Sequence, residues 1–417
     1  MEAAAVSRSS VASTEQVRSD FPALERRIGT HAVAYFDGPG GTQVPRAVGD
    51  ALVDYLYHHN ANTHWEYPTS AETDEALAHA RRVFATLLNG DPNGIVFGTN
   101  MTTLTFHLAR ALGRRWKSGD EIVVTELDHH ANIAPWTALE VDRGVTLRWG
   151  RLDPSRGTLD LDQVIGLING RTKLVAIGAA ANALGTVTDL RPVIAAARAV
   201  GALVFVDGVH YVPHALPDVQ ALGCDFFACS PYKFYGPHVG ILWARADLLA
   251  GIDFPRLIPA SDEAPERAET GTLCHEGIVG AAAAVEWLAG LAGGDGLREQ
   301  LAATYGALHR RGAALFGRLW DGLTEVPGVR LFGPGPRESR TPTAALVVEG
   351  VRSSDVARHL ARSGVFVSHG DFYAWTVVER LGLLPEGLVR AGCACYTTEE
   401  EIDRLVVGIR EIAGRRS

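Results

Sequence analysis

Lys233 stands in the stretch CSPYKFYGPHVG, between two short apolar runs and among Pro, Tyr and Phe, in a chain where lysines are scarce. Neighbours of that kind bury an amine, and burial disfavours its charged form, leaving a nucleophile able to condense with a carbonyl. Asp207 closes the apolar run ALVFVD, so its carboxylate should project from the C-terminal edge of a sheet, where open α/β folds bind ligands. His210 follows three residues later. The segment FGTNMTTLTF (97–106) reads as a strand, a glycine turn and the start of a helix. Backbone N–H groups at such a helix start, with Asn100, Met101, Thr102 and Thr103 at the turn, suit a phosphate dianion. His129, in TELDHHANIAPW (125–136), follows another apolar run and could lay its ring over a flat partner.

Each feature taken singly has a plainer reading: a loop lysine, a helix cap, a structural histidine. Their joint placement carries more. All fall at predicted strand ends, and the 26 residues separating Asp207 from Lys233 leave room for one helix and one strand. A lysine for a Schiff base, an acid to keep a ring nitrogen protonated, a phosphate cup and a stacking ring are together what pyridoxal 5'-phosphate (PLP) requires of a protein.

The elements that must hold these residues are legible in outline. Apolar runs GIVFG (94–98), EIVVTEL (121–127), VTLRWG (145–150), KLVAIGA (173–179), ALVFVDG (202–208), CDFFACS (224–230) and VGILWAR (239–245) predict seven strands. Several are apolar on both faces, as in a mostly parallel sheet covered by helices on two sides. Between them, segments such as DLRPVIAAARAVG (189–201) carry an Asp and Pro at one end, helical apolar spacing and a closing Gly. The expected class is therefore α/β, doubly wound. Beyond residue 295 a long amphipathic helix (about 296–323) precedes strand-like VRLFG, TAALVVEG, VFVSHG and GLVRAG, with helices expected at 353–363 and 399–414. The division expected is a disordered tail (1–18), a bridging segment (19–60), a large domain (61–295) and a small α+β domain (296–417).

Composition narrows the partners. The chain has 417 residues, 47% hydrophobic and 21% charged, with a net charge of −9 and no cluster of Lys and Arg, so neither nucleic acid nor an anionic membrane is an expected partner. A small-molecule substrate is. Five irregularly spaced cysteines suggest neither a disulfide framework nor a zinc site; no metal is expected, and a reducing cytoplasm fits. The N-terminus has no apolar leader pattern and no run is long enough to span a bilayer.

At these residues the chain resembles the class V aminotransferase superfamily of fold-type I PLP enzymes, and within it the cysteine desulfurase-like and selenocysteine lyase-like branch. The matching motifs are YFDGPGGTQVP (35–45), NANTH (60–64), DHHANIAPW (128–136), ANALGT (181–186), VDGVH (206–210), SPYKF (230–234), ETGT (269–272) and VRAG (389–392). The resemblance implies a large domain with a mostly parallel seven-stranded sheet beside a smaller C-terminal domain. It makes Lys233 the lysine that carries the cofactor and His129 the stacking residue. Asp207 becomes the partner of the pyridine nitrogen, with Asn182, His210, Ser230 and Tyr232 around the cofactor. It has Thr272 reach the phosphate of a neighbouring subunit, hence a homodimer with shared sites, and assigns the substrate to Arg390, Asn182, Gly41, His64 and Tyr373. A guanidinium fork at Arg390 suits an α-carboxylate.

One departure bears on the reaction. The loop SHGDFYAW (368–375) stands where desulfurases carry a persulfide-forming cysteine, and it has no thiol. Cys393 and Cys395, at i and i+2 of a predicted strand, read as small buried hydrophobes. The expected reaction is β-elimination, a carbon–sulfur lyase acting on cysteine or a cysteine derivative. Epimerisation, transamination and a PLP-binding protein without turnover remain open at this point.

Overall fold

A computed structural model describes residues 11–414. All seven predicted strands of the first half form, as β1 (Ile95–Gly98), β2 (Glu121–Thr125), β3 (Thr146–Gly150), β4 (Thr172–Gly178), β5 (Leu203–Asp207), β6 (Phe226–Cys229) and β7 (Gly240–Ala244). They make one sheet in the order β1-β7-β6-β5-β4-β2-β3. Pairing is parallel throughout except at β7, which runs antiparallel to both β6 and β1.

The two-faced burial read from the sequence follows from the pleat. Val123, Val175, Ile177, Val204, Val206 and Phe227 point to one side, where they pack with residues of helices Pro68–Leu88, Arg191–Ala199 and His275–Gly290. Ile122, Val124, Leu174, Ala176, Phe205 and Phe226 alternate to the other, against helices Met101–Gly113 and Ala134–Arg143. Parallel strands with helical crossovers leave their C-terminal ends along one edge. The residues after β2, β4, β5 and β6, and the helix that follows β1, therefore converge there.

The C-terminal part forms a second sheet, antiparallel, of β8 (Val329–Phe332), β9 (Thr343–Val348), β10 (Ser368–Gly370) and β11 (Leu388–Gly392), in the order β8-β9-β11-β10. Helices Ser353–Arg362 and Glu399–Gly414 and part of the long helix Leu297–Thr324 pack around its core. The single strand expected at VFVSHG is two: Val365–Phe366 pairs with Ala34–Tyr35 of the N-terminal segment, and Ser368–Gly370 pairs with β11. Asp37 bridges to Gly392, so the N-terminal segment is laced into the small domain before residues 39–42 run to the lysine turn.

The disordered tail expected at 1–18 needs correction. Residues 1–10 lie outside the described residues, but from Val11 the chain is packed. Ser13 and Gln16 form a capping box for helix Thr14–Ser19. Ala12 and Val17 are buried, and Arg18 pairs with Glu401 at 2.9 Å. A helix this short shows no readable period; its order comes from the groove it fills. No helix among the described residues is long and apolar enough to cross a membrane.

One close approach fixes the edge of the future site. A Cβ at Gly240 would lie 2.3 Å from the carbonyl carbon of Asn100, so β7 can pass the start of helix Met101–Gly113 only with glycine there. Gly240→Ala should lower unfolding free energy by about 1–3 kcal/mol, the usual cost of forced overpacking. Gly290→Ala, with no atom within 4 Å of the added carbon, should stay within about 0.5 kcal/mol of wild type. Urea titration of both variants measures the contrast.

Candidate active site

The convergent strand ends enclose a cavity lined by Asn100, Met101 and Thr102 from the first helix start, Asp128 and His129 after β2, Gly178, Ala180 and Asn182 after β4, Asp207, Val209 and His210 after β5, and Ser230, Tyr232 and Lys233 after β6. Asn100 caps helix Met101–Gly113 by accepting from the backbone N–H of Thr103 at 2.8 Å and from its hydroxyl at 3.0 Å. Thr103 is thereby a capping partner and does not line the cavity. Ser230 precedes one short helical turn, Pro231–Lys233, which Lys233 closes.

Lys233 is buried, and its ammonium donates to the carbonyl of Pro39. Burial, seconded by the nearby Arg390 charge, brings its pKa down to about 7, against the opposing pull of Asp37 and Asp207. Asp207 sits at the end of β5, where Oδ1 accepts from the Val209 N–H at 2.9 Å. Burial raises its pKa to about 6, with that hydrogen bond and Lys233 working against the shift. A second carboxyl, Asp128, lies beside it. Oδ2 accepts from the Thr125 hydroxyl at 2.6 Å and Oδ1 from the Asn132 amide at 3.4 Å, while a Cβ on Gly178 would come within 2.4 Å of Oδ1. Burial raises Asp128 to about 7, and the Asp207 charge adds to the rise.

His129 accepts from the Ala131 N–H through Nδ1 at 3.0 Å, which fixes the ring, and burial lowers its pKa to about 3. The ring is neutral at any ordinary pH. His210 is likewise neutral through burial, and its Nε2 lies 3.0 Å from the Thr341 hydroxyl and 3.2 Å from that of Thr343. Arg390 is brought in from β11. Its guanidinium donates to the Asn182 carbonyl at 3.0 Å and the Ser368 hydroxyl at 3.1 Å, lies 3.5 Å from Asp37 and rests on the Phe372 ring at 4.1 Å. Burial lowers its pKa to about 10, so it stays charged, with Asp37 supporting the charge.

The class-V aminotransferase model matches residues 34–405. The chain belongs to the class-V aminotransferase family. A cysteine desulfurase of Klebsiella pneumoniae is 36% identical over 416 residues, covering 96% of this chain and 98% of that protein. One of Synechococcus elongatus is 35% identical over 414 residues, 95% of this chain, which spans 63% of that longer protein. Among solved structures, a cysteine desulfurase of Thermococcus onnurineus superposes with a TM-score of 0.87 at 26% identity, covering 98% of this chain and all of that one. One of Escherichia coli gives 0.84 at 28%, covering 97% and 99%.

The protein is thus a fold-type I PLP enzyme, and the cavity can be tested against the cofactor. Two buried polar atoms there have no hydrogen-bond partner, Asn182 Oδ1 and His210 Nδ1. Orphaned groups of that kind are costly unless a bound molecule satisfies them. Asp207 is ionised above pH 6 and suits a protonated ring nitrogen, the neutral imidazole of His129 offers a flat face, and the helix start at Asn100 offers N–H groups to a phosphate. The residues fit PLP.

Not every expected residue is gathered here. Gly41 lies against Tyr232, within 3.3 Å of the ring for an added Cβ. Tyr373 borders His129, ring centroids 5.6 Å apart. His64 and Thr272 instead line a different, more open cavity with Asn62, Trp65 and Leu257, and His64 pairs with Asp74 at 3.1 Å. In a single chain neither reaches the cofactor cavity. Asp128, Asp37, the Pro39 carbonyl and Phe372 were missed from the sequence. Asp128 had a signal, being adjacent to His129 at a strand end; the other three act through backbone position or long-range packing.

A lysine with pKa near 7 is about half neutral at pH 7, where an ordinary one is almost wholly protonated. Cofactor capture by the cofactor-free protein should therefore rise from pH 6 to 8 with a midpoint near 7 and then level off, followed as visible absorbance in stopped flow. Lys233→Ala should abolish the slow, covalent phase at every pH. A rise that continued to pH 10 would mean an ordinary, solvated amine.

Proposed function

We propose that this enzyme is a carbon–sulfur lyase that eliminates the sulfur substituent of cysteine or a cysteine derivative, releasing it without parking it on an enzyme thiol. The carrying observation is the loop 368–375, which borders His129 and Arg390 through Phe372 and Tyr373 and holds no cysteine. Desulfuration through an enzyme persulfide needs a thiolate next to the substrate sulfur. Cys229 and Cys393 are buried, with burial pushing the Cys393 thiol up to about 12 and that of Cys229 further still. Elimination needs no such thiol and no reductant: cysteine and water give hydrogen sulfide, pyruvate and ammonia, with atoms and electrons balanced.

In this reading Arg390 binds the α-carboxylate. Its guanidinium is held by Asn182 and Ser368 and is charged at working pH. Lys233 would hold the cofactor and would serve as base toward the substrate α-proton; a pKa near 7 suits that role. Asp207 would keep the ring nitrogen protonated, the His129 ring would serve as the stacking partner, and the unpartnered Asn182 Oδ1 and His210 Nδ1 would be available to polar groups of the cofactor. Bound PLP supplies the electron sink for the α-carbanion. Ser230, Tyr232 and the Asn100–Thr103 helix start complete the cradle, Thr103 by capping. Asp128 acts as a positioning residue, since its carboxyl ties the His129 turn to Thr125 and Asn132.

The working unit in this reading is a homodimer, whose second chain brings Thr272 and His64 toward the partner's cofactor. Support comes from the exposed apolar groups beside that second cavity: Trp65 is 61% exposed, Leu257 66% and Ile258 99%, a patch a lone chain would rarely leave in water. The amino-acid substrate and the five free cysteines are compatible with a cytoplasmic enzyme in this reading.

Product analysis tests the reaction. Holoenzyme given L-cysteine, or S-substituted cysteines, should yield pyruvate and ammonia in equal amounts, with sulfide or a thiol and no alanine. Alanine as the main product would sink the elimination reading. Arg390→Lys should raise KM for these substrates roughly 10- to 100-fold with a smaller effect on kcat, the pattern of lost ground-state carboxylate binding.

A further inference from the structure

The loop that replaces the thiol has a conformation that asks for an explanation. Phe372 and Tyr373 are consecutive non-glycine residues in the left-handed region, at φ 58° and 56°. Bulky side chains adopt that backbone only where surrounding contacts impose it, and such strain collects at functional sites. The contacts are present and run to both walls of the cofactor cavity. The Tyr373 carbonyl accepts from the His130 N–H at 2.7 Å, and the Phe372 carbonyl accepts from the Asn182 amide at 2.9 Å. The Tyr373 N–H donates to Asp371 Oδ1 at 2.8 Å, and His130 Nε2 lies 3.3 Å from the Thr376 hydroxyl.

The result is a fixed presentation of two rings. Phe372 is turned inward under the Arg390 guanidinium. Tyr373 is turned outward, 74% exposed yet only 5.6 Å from the His129 ring. A tyrosine held in a strained backbone beside the cavity-lining His129, with most of its ring exposed, presents an aromatic face at the cavity edge. Aromatic faces of this kind gain most by covering another flat, apolar group.

Resting on the lyase reading above, we infer that Tyr373 is a specificity-determining residue and that the preferred substrates are cysteine thioethers with a planar apolar S-substituent. With the α-carboxylate at Arg390 and the amine near Lys233, the substituent on sulfur extends toward the loop and lies on the Tyr373 ring. Cleavage then gives the free thiol, pyruvate and ammonia from the thioether and water: the Cβ–S bond breaks with its electron pair staying on sulfur, which takes up a proton. A thiol at position 373 would crowd no such group, but it would offer no face to one either.

The test compares kcat/KM of the holoenzyme for S-benzyl-, S-methyl- and unsubstituted L-cysteine, reading both pyruvate and thiol or sulfide. Wild type should favour S-benzyl over S-methyl by at least about tenfold, a range that pocket contacts with a few carbon atoms supply. Tyr373→Ala should cut that preference about tenfold, and Tyr373→Phe, which keeps the ring, should preserve it. Retained visible absorbance of the bound cofactor shows that each variant is folded and loaded. Equal efficiency on all three substrates, or a Tyr373→Ala variant that loses activity on all three in proportion, overturns this inference and leaves the lyase reading standing. Absence of pyruvate from every substrate overturns both.

Discussion

Everything in the cavity depends on keeping the amine of Lys233 out of water. An ammonium moved into the interior loses several kcal/mol of hydration even after the protein relaxes around it. Here the loss is met partly by the Pro39 carbonyl and the carboxylates Asp37 and Asp207, and partly by surrender of the proton, since the pKa has fallen to about 7. Arg390 reinforces the effect. A second buried cation that keeps its own proton makes the neutral form of the lysine the cheaper one.

That arrangement requires three parts of the chain to meet. The lysine turn comes from the end of β6, the guanidinium from β11 of the other sheet, and the carbonyl and Asp37 from the N-terminal segment, which bridges to Gly392 before reaching the turn through the Thr42 N–H and the Tyr232 carbonyl at 2.9 Å. His210 extends the coupling between domains by packing its Nε2 against Thr341 and Thr343. The two domains therefore share their most polar buried groups. A shift of the small domain would move Arg390, and with it the electrostatics of a lysine on a different sheet.

The carboxyls show a division set by environment. Asp207 has one backbone N–H and a nearby lysine, and is lifted only to about 6; Asp128, enclosed by Thr125, Asn132 and Gly178, rises to about 7. Two adjacent buried carboxyls resist sharing two negative charges. Both line the cavity, and Asp207, the less shifted of the two, keeps its charge at neutral pH more readily. Asp128 is raised further by its burial, and its hydrogen bonds hold the His129 turn.

Much of this was legible in the chain itself. Seven apolar runs announced seven strands because a strand buried on both faces has nowhere to put a polar residue, and Lys233, Asp207, His129 and Asn100 could be picked out because strand ends are punctuated by turn residues. The lone strand expected at VFVSHG and, from residue 11 on, the tail expected at 1–18 went astray because local pattern cannot say which neighbour a short segment will pair with. Asp37, the Pro39 carbonyl and Phe372 were beyond reach for the same reason: they stand 353, 194 and 18 residues from the groups they touch, and two of the contacts use backbone or a ring face that any residue or many aromatics could provide. The sequence by itself determined the sheet, its chemical edge and the missing thiol, since these follow from side-chain type and period. Only the tertiary structure decided how far the amine is desolvated and which ring faces the cavity mouth, because both depend on distances between segments that the chain's order does not encode.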